Sequence, residues 1–358
     1  MLRCHSLFAP LITAAAMLLP WAGAQTIDAA RLRGFAPLAE PASGAASQDK
    51  IALGRMLYFE ARLSKDATVS CNTCHPLARY GADGQPTSAG YKGMRGNRNS
   101  PTVYNAGEHI AQFWDGRAGT LAEQAKGPVL NPVEMALPSG AAAVAIVKGI
   151  PEYVGAFQRA FPGERDPVTF DNMAAAIGAF ESNLVTPSRW DRFLRGEQNA
   201  LTPAEKSGFI AFTDAGCQAC HSGALLGGMQ FQKLGIAKPY PGLSDIGRYK
   251  VTRRDSDRFV FKVPSLRNVE MTGPYFHDGK VSTLDEAVAR MAEYQTGRPL
   301  DNAQKLSIVV WLKSLTGELP ADYIKPPALP GKTAAAPQHR GLFVAENSDL
   351  ARIQGVRR

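Results

Sequence analysis

At 358 residues the chain is long enough for two ordinary domains, and its 45% hydrophobic and 20% charged residues exclude disorder along the whole length. Its 40 Lys and Arg against 32 Asp and Glu leave a net charge of +8. No long basic run accompanies that charge, so nucleic acid is not an expected partner; a basic surface suits an acidic protein partner instead.

The first element is a leader. Arg3 precedes a mostly apolar stretch, Leu7 to Trp21, which ends in Ala22-Gly23-Ala24 before Gln25. It is short for a membrane span and is broken by Pro10 and Pro20, so no stable span is expected. The pattern predicts a signal peptide over 1–24, removed on export; an uncleaved anchor is the weaker alternative. Export usually brings disulfides, but the cysteines are arranged otherwise. Cys4 lies in the leader. The other four are Cys71, Cys74, Cys217 and Cys220, in two equally spaced pairs, each followed by a histidine, His75 and His221.

Along the chain, Ile51, Leu53, Met56 and Leu57 predict a short amphipathic helix before the first pair. C-x-x-C-H is the attachment motif of c-type haem: two thiols on one turn reach two vinyl groups, and the histidine comes under the iron. A redox dithiol or a zinc site built from both pairs are the alternatives, but neither needs histidine after each pair. Residues 97–135 are rich in Gly, Asn and Pro and read as a shaped loop. Within it Glu134, between Val133 and Met135, is a candidate proton shuttle. A solvated loop carboxylate is the alternative reading.

A helix is expected over Phe170–Leu184. Thr202-Pro203-Ala204-Glu205 is a capping box that opens another, running to about Asp214 and stopping at Gly216 before the second motif. Thr283 and Glu286 predict a capped helix carrying Met291, which on spacing alone fits a core methionine as well as a ligand. A last helix is expected over Asn302–Leu315. From about Lys325 the Pro- and Ala-rich composition predicts a loose tail. The fold class is mainly α: two cytochrome c-like haem domains, 25–185 and 186–318, with long loops and little strand, and an extension over 319–358.

These motifs resemble the bacterial di-haem cytochrome c peroxidases and their MauG-like relatives, from about Leu53 to Leu315. The resemblance is carried by both CxxCH motifs, Asn99-Ser100-Pro101-Thr102, Phe113 to Ala118, Gln124, Val133-Glu134-Met135, Val263 to Asn268, Gly273 to Gly279 and Met291. It implies two covalently bound haem c groups in a periplasmic protein. The first, on Cys71, Cys74 and His75, is the peroxidatic one. The second, on Cys217, Cys220 and His221, transfers electrons, with Met291 as its sixth ligand. It further implies Trp114 as the bridge between haems, Glu134 as distal acid–base residue and Gln124 as its companion. Asn99 with the carbonyls of Thr272 and Pro274 would hold calcium.

The implied reaction is reduction of hydrogen peroxide to water with electrons from a small cytochrome c or cupredoxin, and the resemblance leaves room for a homodimer. One departure stands out. Many family members carry a closing histidine about sixteen residues after the first motif; here Tyr91 occupies that place. The resting site is then expected to be open to peroxide, unless the phenolate itself closes it. Two other readings compete: a MauG-like oxidase of a protein substrate, which Met291 argues against, and a non-enzymatic di-haem electron carrier, which Glu134 argues against.

Overall fold

The computed structural model describes residues 26–39 and 46–331, so the leader and the tail beyond 331 lie outside the described residues. The fold is mainly α. The described strands are Phe231–Lys233 and Val260–Lys262, an antiparallel pair with Phe231 opposite Lys262. Among the described residues no single helix is long and apolar enough to cross a membrane.

Two hydrophobic cores organise the chain. The first draws on residues from Leu53 to Leu184, the second on residues from Trp190 to Leu315. Each is built around a crossing of two helices at a glycine. In the first, Gln48–Tyr58 packs on Phe170–Glu181, and a Cβ at Gly54 would run into the carbonyl oxygen of Ala176. In the second, Pro203–Asp214 packs on Asn302–Lys313, and a Cβ at Gly208 would meet the carbonyl of Ser307. Glycine there lets the backbones approach within van der Waals contact, so the rest of each core closes around them.

Local chemistry explains most boundaries. The Thr202 box forms completely, with the Thr202 hydroxyl accepting from Glu205 N and the Glu205 carboxylate accepting from Thr202 N. At Thr283 only half forms. Its hydroxyl accepts from Glu286 N, but the Glu286 carboxylate is taken by Arg290 one turn on, at 2.7 Å. The stretch 97–135 is not all loop: Leu121–Leu130 is a helix capped by Thr120, and it carries Gln124. Further helices at Gly140–Lys148 and Pro151–Ala160 complete the first half.

The ends of the described chain are exchanged. Ile27, Leu32 and Phe35 pack on the second core, whereas Leu319, Tyr323 and Ile324 return to the first. Tyr323 stacks on Phe180 at 5.0 Å, Arg55 donates to the carbonyl of Lys325 and Arg62 to that of Pro330. The segment expected to be loose from Lys325 is therefore tied down as far as these contacts reach. Composition alone does not register ring stacking and arginine–carbonyl bonds made by distant residues.

Candidate haem-binding site

The two C-x-x-C-H motifs open onto separate cavities. In the first, Cys71–Cys74 forms a single helical turn closed by a reciprocal Ser70–Thr73 box. Asn72 accepts from Leu77 N at 3.0 Å, which holds the exit of the turn. His75 Nδ1 lies 3.2 Å from the carbonyl of Gly81, so Nδ1 carries the proton and Nε2 is the nitrogen left to ligate. Burial lowers the pKa of His75, which favours the neutral imidazole a metal requires. Tyr58 donates to the carbonyl of His75 at 2.7 Å and Tyr104 to that of Leu77 at 2.9 Å.

The second motif repeats this arrangement with different supports. Gly216, at φ +81°, turns the chain out of the preceding helix into Cys217–Ala219. His221 Nδ1 lies 3.1 Å from the carbonyl of Leu226, and burial again lowers its pKa. Arg267 orders the loop after the motif by donating to the carbonyl of Ala224 and, through two parallel bonds of 2.6 and 2.8 Å, to Asp191. That ion pair is fully buried, at 1% and 0% exposure of its side chains.

The two cysteine pairs line different cavities, so they do not converge on one zinc ion. The thiols are free and partly buried, and burial raises Cys74 to about 11 and Cys217 to about 12, which ill suits a reactive dithiol. Paired thiols lining a cavity, with an adjacent half-buried imidazole fixed through Nδ1, fit covalently attached haem in both halves.

The first cavity is polar on one side. Cys71, Cys74 and His75 line it together with Gln124, Glu134, Arg98, Arg117 and Glu181. Burial raises the pKa of Glu134, opposed by the nearby charge of Arg117 and by Asn131, whose amide donates to the carboxylate at 2.6 Å. Glu181 was not singled out in the sequence. It is 4% exposed, raised to about 8 by burial, and has one carboxyl oxygen without a protein partner. Its place in an otherwise apolar helical stripe is the signal that could have marked it.

Tyr91 is held beside this cavity without contributing to its lining. Its backbone N–H donates to the carbonyl of Glu134 at 2.7 Å, and Lys65 and Lys92 each place an ammonium 5.4 Å from its ring. The neighbouring Gly90 does line the cavity, and a Cβ there would strike the backbone of Val133 and Glu134. The loop that carries Tyr91 is thus packed directly on the segment that carries Glu134.

The second cavity is mostly apolar. Cys217, Cys220, His221 and Met291 line it with Leu266, Leu284, Val288 and Ile308. Met291 opens a π-helical turn, Met291–Thr296, that continues the helix Leu284–Arg290. Such turns are rare and frequent at functional sites. Trp114 lines both cavities, with its indole N–H donating to the carbonyl of Asn99 at 2.9 Å. Asn99 also lines both, while Thr272 and Pro274 line the second. The Asn99 amide donates to the carbonyl of Gln85, leaving its oxygen as the acceptor end. One amide oxygen and two carbonyls are hard, neutral donors of the kind calcium takes.

The family model for di-haem cytochrome c peroxidase matches residues 48–199. The chain is 47% identical to the cytochrome c551 peroxidase of Pseudomonas aeruginosa, over 82% of this chain and 85% of that protein. It is 45% identical to the cytochrome c551 peroxidase of Nitrosomonas europaea, over 81% and 86%. Among solved structures, a MauG-like protein associated with microbial copper homeostasis superposes with a TM-score of 0.72 at 28% identity, covering 82% of this chain and 97% of that one.

Proposed function

The chain belongs to the di-haem cytochrome c peroxidase family, and on that premise we propose that peroxide is reduced in the cavity of the first motif while the second cavity relays the electrons. It is a peroxidase with two c-type haems, and its substrate is hydrogen peroxide. Each turnover consumes one peroxide, two electrons and two protons and yields two waters. Bound in these cavities, the haems supply an iron that accepts peroxide and the capacity to store and pass electrons.

The protein's own residues do the rest. Glu134 is the acid–base residue: its raised pKa keeps a larger protonated fraction than a free carboxyl has, and the Asn131 amide fixes its orientation. It takes a proton from the near oxygen of peroxide and returns it to the far one. Gln124, from the helix Leu121–Leu130 that leads into the Glu134 segment, lines the same cavity and would orient the bound peroxide. Trp114 would bridge the two halves, Met291 would supply a sulfur ligand to the second haem, and Asn99, Thr272 and Pro274 would hold calcium at the joint between them. The donor is a small cytochrome c or cupredoxin met in the periplasm after removal of residues 1–24. The observation that carries this reading is the pairing of a half-buried acid of raised pKa with the first motif and an apolar, methionine-bearing wall with the second.

Mass spectrometry of the mature protein tests the cofactor assignment: polypeptide plus two haem masses is expected, and zinc in their place would end the reading. Calcium is tested by chelation of the holoprotein, which is expected to slow turnover and to be reversed by added calcium.

A further inference from the structure

Lys262 is the one lysine among the described residues with a buried side chain, at 7% exposure, and no carboxylate lies within ion-pair distance of it. Its ammonium donates to the carbonyl of Ala111 at 2.8 Å and to His109 Nδ1 at 2.9 Å. An ammonium has no acceptor, so Nδ1 must accept and the proton of the neutral imidazole sits on Nε2. His109 is held neutral, at about 3, by burial and by the charge of Lys262. That Nε2–H is itself buried and without a protein partner. The ring lies against the backbone of Gly228, where a Cβ would collide with it.

A buried cation without a counter-charge and a buried N–H without an acceptor are each costly alone. Because Nδ1 and Nε2 point to opposite edges of the ring, it is Lys262 that awaits an anion, and the Nε2–H needs an acceptor of its own. Both residues line the cavity of the second motif. The backbone N–H of Lys262 donates to the carbonyl of Trp114 at 2.7 Å, so the pair stands on the side of that cavity that faces the bridge to the first. The group that fills the cavity in the reading above carries two carboxylates, its propionates, and is otherwise apolar or bound at its iron.

We propose that Lys262, positioned by His109, is the counter-charge of a propionate of the second haem, on the Trp114 side of its cavity. The inference rests on that haem being attached at Cys217 and Cys220. Neutralising a propionate with a fixed cation makes the iron easier to reduce, because less negative charge surrounds the added electron. The pair would thereby help Met291 keep the relay's potential high.

The test uses the holoprotein. Lys262→Leu is expected to shift the propionate bending mode of one haem in the resonance Raman spectrum and to lower the midpoint potential of the methionine-ligated haem in a spectroelectrochemical titration. Lys262→Arg is expected to hold the potential near that of the parent. If the leucine variant does not fold, Lys262→Gln keeps a donor for the Ala111 carbonyl but no charge, and it too must lower the potential. Two haems attached, with the mode and potential unmoved in the uncharged variant, would overturn the proposal and leave the peroxidase reading intact. A parent protein lacking haem at Cys217 and Cys220 would instead overturn the reading on which it rests.

Discussion

The two cavities share a plan and differ in chemistry. Both place a C-x-x-C-H motif after a helix that crosses its partner at a glycine, and both fix the histidine through an Nδ1–carbonyl contact. The first then gathers Glu134, Gln124, Arg98, Arg117 and Glu181 along its wall. The second gathers aliphatic side chains and Met291. In the proposed reading, the same attachment unit is turned toward proton chemistry in one half and toward electron relay in the other. On that reading the distal wall, and not the attachment motif, sets the task.

That contrast can be broken most severely at Glu134. Glu134→Gln keeps the size and the contact with Asn131 but cannot shuttle a proton. Turnover with peroxide is expected to fall by about 10²–10⁴-fold while both haems stay attached, as steady-state kinetics and mass spectrometry would show. Near-parental turnover would move the acid–base role elsewhere in the cavity.

The second half is most vulnerable at its buried ion pair. Arg267→Ala leaves the Asp191 carboxylate, lowered because Arg267 and backbone donors outweigh the penalty of burial, without its partner. A loss of about 3–5 kcal/mol in denaturant unfolding is expected. A loss below about 1 kcal/mol would show that water reaches the site.

Met291→His replaces a sulfur by imidazole in the relay cavity. The midpoint potential of that haem is expected to drop strongly and electron delivery to slow, with the first haem's potential little changed. An unmoved potential would return Met291 to a packing role.

Tyr91 sharpens the first cavity. Fully oxidised holoprotein mixed with one equivalent of peroxide in a stopped flow is expected to react at once, because no imidazole stands at this place. Tyr91→His is expected to convert the enzyme to a form that needs one electron first. A parental enzyme that waits for reduction would refute the open resting site.

The smallest effect concerns Glu181. Its folded pKa, about 8, lies above the ordinary carboxyl value, so the folded state holds a proton that the unfolded chain releases. Its contribution to stability is full below the ordinary carboxyl pKa and is lost as pH rises toward about 8. Glu181→Gln is expected to flatten the fall in melting temperature over that interval. An unchanged pH profile would mean that a partner in the holoprotein satisfies the carboxylate.

What could be read from the sequence was what neighbouring residues settle among themselves. Two thiols and a histidine within five positions declare haem attachment without any fold, because the reach to one porphyrin is a local distance. The helix Pro203–Asp214 was legible at its start because Thr202 and Glu205 satisfy free amide groups and Pro203 has none to satisfy, and at its end because Gly216 takes a positive φ. The half-formed box at Thr283 shows the limit: an arginine one turn on competes for the same carboxylate. Only the tertiary structure decided that Trp114 lines both cavities, that Gly90 rests on Glu134, and that the two ends of the described residues exchange cores. It alone brought His109 to Lys262 and Arg98 to Asp245, pairs about 150 residues apart. Such pairings depend on how two cores dock. Burial then sets their energies, and no local spacing in the chain records it.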